Sequence, residues 1–281
     1  MESLARFVLK TEPFIRTHNK RGQIERFKDL VRTQTKHENV HKRNVRRILG
    51  LTERLYWRDM YMREFDARVE SADGARVVLD QTAFNPRGGG LVSDTGLLAG
   101  ARVSEVVKEG EEIFHVLESP IGIGSGAGVH GVLDWDRRLR VMRMHTSAHI
   151  LSAVVNRETG ALITGNQISP DQSRVDFNLD DLDKEKISSY IDRVNEVVAK
   201  GLEVKTYFMK REEALANPGF VKLANAMPPS VDMLRIVQIG DVDTQADGGV
   251  HVKNTREIGK VVAVKTENKG KSNRRLYFTV L

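Results

Sequence analysis

Two short stretches far apart in the chain each pair side chains that bind divalent metals: His145-Thr-Ser-Ala-His149 and Asp247-Gly-Gly-Val-His251. On a helix, positions i and i+4 share a face with Cβ atoms roughly 5–6 Å apart, so His145 and His149 can converge on one ion. Zinc–nitrogen bonds of about 2.0–2.1 Å suit that spacing. A metalloprotease would place Glu directly after the first histidine as its base; Thr146 stands there, so that chemistry fails. In the second stretch, Gly248 and Gly249 let the backbone turn tightly, so a carboxylate and an imidazole can approach one point from a loop. Each motif alone has a blander reading. The first could be two unrelated surface or core histidines, the second a hairpin turn at Asp247-Gly248 between strands at 236–239 and 261–264. The pair is stronger, because three of the five histidines beyond residue 50 fall in these two motifs. His145, His149, His251 and Asp247 are therefore expected to form a site for one divalent ion, zinc foremost.

Two further stretches could serve a substrate. Asn85-Pro-Arg-Gly-Gly-Gly90, followed by Ser93-Asp94-Thr95-Gly96, could expose backbone N–H groups to a phosphate or sugar. It could equally be a glycine-rich hairpin. Lys253, Lys265, Lys269, Lys271, Arg274 and Arg275, mostly flanking the last strands, form a solvated charged face or, beside a metal site, a hold on phosphates.

The elements that must position these residues change character along the chain. With 281 residues there is room for two domains, each with its own core. The 40% hydrophobic and 29% charged content describes an ordinary globular chain. The absence of cysteine excludes a disulfide scaffold and any cysteine-based zinc cluster, and it fits a reducing cytosol. No apolar run approaches the roughly 18 residues of a membrane span, and the N-terminus is too basic and broken for a signal peptide. Residues 1–50 carry 13 Lys/Arg against 5 Asp/Glu, whereas the remainder carries 31 against 33. The net charge of +6 thus belongs to the first fifty residues, read as a loosely ordered or helical extension or as a phosphate-seeking arm.

From Tyr56 to about Arg140 short β-type runs (77–79, 101–107, 113–117 and 131–135) alternate with Gly-rich turns, the pattern of a small barrel or sandwich. From Val141 the pattern becomes α/β. Ile150, Leu151, Val154 and Val155 mark a helix ending at Gly160. Ile187, Tyr190, Ile191, Val194, Val197 and Val198 mark a second ending near Gly201, with Asp181 and Asp183 at its start. Strands at 175–177, 204–208, 234–239, 260–265 and 276–281 interleave with them. The expected fold is α+β with a largely antiparallel sheet.

In this order the motifs resemble the AlaX family, free-standing relatives of the editing domain of alanyl-tRNA synthetase. The resemblance covers about Leu51 to the C-terminus. Leu51-Thr-Glu-Arg-Leu-Tyr-Trp57 is similar to the start of medium-length members, with Leu where they have Met. Thr82-Ala-Phe-Asn-Pro-Arg-Gly-Gly-Gly90 is similar to their glycine-rich motif and Trp135-Asp-Arg-Arg138 to their domain junction. Met142-Arg-Met-His-Thr-Ser-Ala-His149, Ile163-Thr-Gly-Asn-Gln-Ile168 and 247–259 are similar to the first metal motif, the following loop and the second metal motif.

The resemblance implies an N-terminal small β-barrel domain (51–140) followed by a two-layer α/β metal-binding editing domain (141–281), with 1–50 a basic extension outside it. Either that extension is a lineage-specific arm or Leu51 marks the true start. The implied activity is hydrolysis of the ester joining serine, and sometimes glycine, to alanine tRNA in the cytoplasm. His145, His149 and His251 would be zinc ligands, with His145 and His149 central to catalysis. Thr164 would meet the amino-acid side chain, its hydroxyl bonding serine's, an interaction alanine cannot make. Gly88, Gly89, Gly90 and Gln167 would contact the substrate.

Two positions depart from the family. Many relatives carry Cys where Asp247 stands; carboxylate oxygen is an accepted ligand at about 2.0–2.2 Å, giving a harder site, or it acts through a water. Leu91 replaces the usual Gln after the glycines. Two other readings stand beside this one. The first is editing of another aminoacyl-tRNA, as in the threonyl-tRNA synthetase editing module, against which the barrel and glycine triplet argue. The second is a metal-stabilised tRNA-binding module without turnover. No protein partner is evident, and aminoacylation is excluded by the absence of an ATP-binding signature.

Overall fold

The computed structural model describes residues 52–181, 183–217 and 231–281. The extension expected over residues 1–50, and the question of Leu51, lie outside the described residues. The described chain is mixed α/β, with its sheets almost wholly antiparallel.

The first part is all β. A two-residue strand β1 (Glu53–Arg54) pairs in parallel with β4 (Gln81–Thr82). The other strands are β2 (Glu64–Asp73), β3 (Arg76–Leu79), β5 (Gly96–Leu98), β6 (Ala101–Glu109), β7 (Glu112–Leu117) and β8 (Gly128–Leu133). They pair antiparallel in the order β2-β3-β7-β6-β5-β8, and β8 returns to β2, so the sheet closes on itself as a barrel. Side chains alternate along β2: Phe65, Ala67 and Val69 are buried while Glu64, Asp66 and Arg68 are exposed. The interior is filled by Val77, Leu79, Phe84, Leu98, Val106 and Ile113, each 0% exposed. Gly131 lies directly opposite Phe65, and a Cβ there would come within 2.5 Å of the ring, so this strand position has to be glycine.

Sequence pattern carries a strand through Trp135, and here the structure corrects it. Strand β8 ends at Leu133, Asp134 caps the next element by accepting from the Arg137 N–H, and helix α1 runs unbroken over Trp135–Thr159 to a left-handed Gly160. The helix therefore starts six residues before the change of pattern at Val141. Its apolar stripe is hard to see because residues Met144–Ala153 are buried on every side. Its buried hydroxyls donate back to the preceding turn: Thr146 to Met142 O (2.9 Å), Ser147 to Arg143 O (2.7 Å) and Ser152 to Ala148 O (2.7 Å). They are thereby satisfied without breaking the periodic pattern of the backbone.

After α1 come β9 (Ile163–Gln167), β10 (Ser173–Phe177), helix α2 (Lys184–Lys200), β11 (Val204–Lys210), a short helix α3 (Arg211–Leu215), β12 (Met233–Ile239), β13 (Asp243–Ala246), β14 (Val261–Asn268) and β15 (Arg274–Val280). α2 is amphipathic as its spacing requires. Ile187, Tyr190, Ile191, Val194, Val197 and Val198 are buried, Asp183 caps its start and Gly201 ends it. Two antiparallel sheets, β14-β15-β10-β9 and β11-β12-β13, share with α1 and α2 one core containing Met142, Ile150, Phe177, Val237 and Phe278. The hairpin alternative for Asp247-Gly248 is not formed. β12 pairs with β13 and β14 with β15, and 247–260 is a connecting loop containing a 3-10 turn at Thr255–Ile258.

Candidate metal centre

α1 brings two imidazoles to one point and the 247–251 loop brings an imidazole and a carboxylate to the same point. One ligand atom from each of His145, His149, Asp247 and His251 lies within 4.8 Å of the others. The Asp247 carboxylate faces all three histidines. Its Oδ1 is 3.2 Å from His251 Nε2, and its Oδ2 is 3.5 Å from His145 Nε2 and 3.8 Å from His149 Nε2. Four ligands at about 2.0–2.1 Å around a tetrahedral ion lie roughly 3.3–3.4 Å apart. The donor set suits a divalent ion by its chemistry, and the Asp247 distances of 3.2–3.8 Å bracket that spacing.

Each imidazole is oriented by a different partner at its other nitrogen. His145 Nδ1 donates to Val250 O at 3.2 Å, and His149 Nδ1 donates to the buried Asp243 carboxylate at 2.9 Å. His251 Nδ1 faces Thr146 Oγ1 at 3.2 Å. Since Thr146 gives its own proton to Met142 O, its oxygen accepts from His251. Each ring therefore donates from Nδ1 and turns its Nε2 inward toward Asp247, where it can serve as a ligand atom once it carries no proton. Such support raises ligand basicity and fixes the tautomer.

The electrostatics differ from ring to ring. Burial pushes His145 well below its ordinary value, with the neighbouring His251 adding to the effect against the pull of Asp247. Burial likewise takes His251 down to about 4. For His149, burial is overcome by the hydrogen bonds and charges of Asp243 and Asp247, and its value rises to about 9. Asp247 is held well below the usual carboxylate range because the His145 charge and the His149 and His251 hydrogen bonds outweigh its burial. An ionised carboxylate among buried imidazoles is a cation-seeking arrangement.

Several further residues hold this geometry. Arg235, 4% exposed on β12, donates from Nη1 to the carbonyls of both Asp247 and Gly249 at 2.9 Å each. The Met60 sulfur accepts from Arg235 Nη2 (3.3 Å) and from His251 N–H (3.2 Å). Gly249 N–H donates to Asp247 Oδ1 at 2.6 Å, closing the turn around the carboxylate. A Cβ on Gly249 would lie 2.8 Å from both His145 Cε1 and Leu91 Cδ2. At the base of α1, Arg138 is wholly buried. It bonds both oxygens of Asp94, Met60 O (2.9 Å) and Ala83 O (2.6 Å), and so ties the helix to the strands around the glycine motif. Arg235 and Met60 could not be found from spacing, since a lone buried arginine or methionine leaves no pattern in sequence.

The glycine triplet forms a tight turn. Gly88 and Leu91 exchange backbone hydrogen bonds of 3.1 and 2.9 Å, and Gly89 and Gly90 have φ of 59° and 87°. A Cβ on Gly90 would overlap the Asn166 side chain, and Ile168 N–H donates to Gly90 O at 2.8 Å, so the turn leans on the end of β9. Leu91 is buried against the Gly249 turn, an apolar role that needs no glutamine. Thr164 occupies a bulge in β9, where its hydroxyl donates to Asn273 Oδ1 at 2.9 Å. Gln167 is exposed, and its side-chain oxygen accepts from Arg174. Neither Thr164 nor Gln167 is bonded to the four-residue cluster. Of the basic residues near the C-terminus, Arg275 is paired with the buried Asp176 at 2.7 and 2.8 Å, and Lys265 is paired with Glu267 at 2.7 Å on the exposed surface.

Known proteins share this chain's sequence over most of its length. Residues 234–277, which include Asp247 and His251, match the family described as the threonyl and alanyl tRNA synthetase second additional domain. An alanyl-tRNA editing protein AlaX-M of Saccharolobus solfataricus is 49% identical over 236 residues, 82% of this chain and 99% of that protein. One from Methanosarcina barkeri is 44% identical over 242 residues, 82% of this chain and 100% of that protein. An alanine–tRNA ligase of Thermococcus kodakarensis is 39% identical over 223 residues, 77% of this chain but 24% of the ligase.

Proposed function

This chain belongs to the AlaX-M family of alanyl-tRNA editing proteins, and from that membership we propose that it hydrolyses the ester of alanine tRNA wrongly charged with serine, and with glycine. The enzyme is a deacylase acting in trans on mischarged tRNA. One observation carries the chemical part of this reading. Three imidazole Nε2 atoms and one ionised carboxylate converge on a point, while every Nδ1 proton is engaged elsewhere.

His145, His149, His251 and Asp247 would hold one divalent ion, with zinc favoured by a tetrahedral three-nitrogen, one-oxygen set. When bound, such an ion supplies Lewis-acid polarisation of an ester carbonyl or a water. The chain's own residues do the rest. Asp243, Val250 and Thr146 each accept the Nδ1 proton of one ring and so aim its Nε2 inward, and Arg235 and Gly249 fix the turn that carries Asp247. In the cluster itself both carboxylates are committed, Asp247 to the three imidazoles and Asp243 to His149 and Gln245. That leaves the terminal ribose hydroxyl of the tRNA as a source of proton transfer.

Thr164 is assigned the amino-acid side chain. Its proton goes to Asn273, so its oxygen is free to accept from a serine hydroxyl, a partner alanine lacks. Gly88, Gly89 and Gly90 shape the entrance against β9, with Gln167 and Arg174 on the tRNA side. We read 51–140 and 141–281 as barrel and editing domains that share α1, and we place the protein in the cytoplasm. No described helix is long and apolar enough to cross a membrane.

The test is deacylation of Ser-, Gly- and Ala-tRNA(Ala) side by side, with metal analysis of the same sample. Loss of the serine ester with sparing of alanine, dependent on bound zinc and on His145, is expected. Unchanged hydrolysis by fully chelated protein or by His145→Ala would overturn the reading.

A further inference from the structure

Resting on that reading of the chain as a tRNA deacylase, we propose that the exposed ring of Phe208, braced by Trp57, is the ledge on which the unpaired terminal base of the acceptor strand stacks. The four-residue cluster is least covered at Asp247. The side chains of His145, His149 and His251 are 6%, 7% and 0% exposed, against 23% for Asp247. The Asp247–Gly249 turn is thus the most accessible edge of the cluster, and it is the edge assigned to the substrate's approach.

That turn has an aromatic border. Trp57 Nε1 donates to Gly248 O at 2.8 Å, and the indole lies 3.9 Å from where a Gly248 Cβ would be. Phe208 meets Trp57 edge-on, with ring centroids 5.7 Å apart at 60°. Phe208 also lies directly across from Arg235, the residue that holds the Asp247 and Gly249 carbonyls, so it shares the sheet face that carries the site. The ring is nonetheless 51% exposed, and Met233, its diagonal neighbour on the same face, is 46% exposed. Scattered apolar side chains on a surface are ordinary; an aromatic pair and a methionine at the mouth of a site are an interaction surface.

The chemistry of that surface selects its occupant. Lys210, exposed and two residues beyond Phe208 on the same face, puts a positive charge beside the rings. A flat aromatic ring next to a lysine suits a nucleobase carried on a phosphate chain. Single-stranded RNA is held in this way, by stacking unpaired bases on aromatic side chains beside cationic groups. The terminal base is the one attached to the ribose that bears the ester, so it is the base that must lie within reach of the cluster. Trp57, fixed to the ligand turn by its N–H, sets the distance between ledge and ion.

The experiment compares binding of an uncharged acceptor-stem RNA hairpin with a single-stranded 3′ end to binding of the same hairpin with an abasic terminal nucleotide, at fixed ionic strength. With the wild-type zinc-loaded protein, removing the base is expected to weaken binding by about fivefold to a hundredfold. Phe208→Ala should lose a similar factor and no longer distinguish the two hairpins, while Phe208→Tyr still does; all three proteins should hold one equivalent of zinc. Equal binding of the two hairpins by wild type overturns the proposal whatever the variants do. Undiminished discrimination by Phe208→Ala overturns it as well. Ser-tRNA(Ala) hydrolysis by wild type is scored separately, so failure of the editing reading and failure of the stacking ledge give different results.

Discussion

His149 Nδ1 donates a hydrogen bond to the buried carboxylate of Asp243 at 2.9 Å, across 94 residues of sequence. Asp243 also accepts from Gln245 Nε2, at 3.1 and 3.0 Å. The carboxylate thus fixes one ring by charge while Val250 and Thr146 fix the others by neutral acceptors. Asp243→Asn keeps an acceptor but removes the charge. It is expected to weaken zinc binding by about 10–100-fold while leaving the far-ultraviolet circular dichroism unchanged. Chelator competition measures it, and wild-type affinity in the variant would show that His149 needs no charged support.

Asp247 faces all three imidazoles and is the most exposed member of the cluster. Asp247→Ala should lower zinc affinity by at least about a hundredfold, since a buried three-histidine site loses its only anion. Asp247→Cys restores an anionic donor of softer character and should shift competition toward zinc over magnesium and manganese. Metal analysis after dialysis against mixed ions reads both outcomes. An Asp247→Ala protein that retains full zinc affinity would leave the ion with three protein ligands and the carboxylate outside its shell.

Arg235 holds two carbonyls with one nitrogen. Arg235→Met strands both and frees the turn, so a loss of about 2–5 kcal/mol in unfolding free energy is expected, together with weaker zinc binding. Arg235→Lys, whose single ammonium cannot reproduce the planar fork, should recover only part of it. Urea unfolding with and without chelator separates the two effects. Equal losses in both conditions would confine Arg235 to the fold.

His115 lies inside the barrel, 0% exposed, where burial takes it down to about 4 from an ordinary value of 6.5. Its Nδ1 donates to Val77 O (3.0 Å) and its Nε2 accepts from Thr82 (2.8 Å), so the neutral ring is satisfied at both nitrogens. Below pH 6.5 the unfolded chain takes up a proton that the folded one refuses until about pH 4. The stability contributed is therefore full above 6.5 and is lost as pH falls to about 4, at about 1.4 kcal/mol per pH unit. Between pH 7 and 4.5 the wild type should lose roughly 2–3 kcal/mol more than His115→Gln in urea unfolding. Parallel losses in both proteins would assign acid sensitivity to other groups.

What the sequence determined was chemical identity and local conformation. The i, i+4 spacing of His145 and His149 needs nothing beyond a helix to place both on one face, and the two glycines after Asp247 permit the turn that carries a carboxylate and His251. The stripe of Ile187, Tyr190, Ile191 and Val194 likewise declares α2, because one face of that helix meets solvent. α1 was legible only in its second half, since a helix buried on all sides has no polar face to set its period. Strand pairing, the Asp243 support of His149, the Arg235 clasp and the Trp57–Phe208 border were decided by tertiary structure. Each joins residues from separate elements, and hydrogen bonds between such residues follow from register and packing, which no local spacing encodes. The four-residue cluster combines the two: the ligand types were written in the chain, and their inward aim came from the fold.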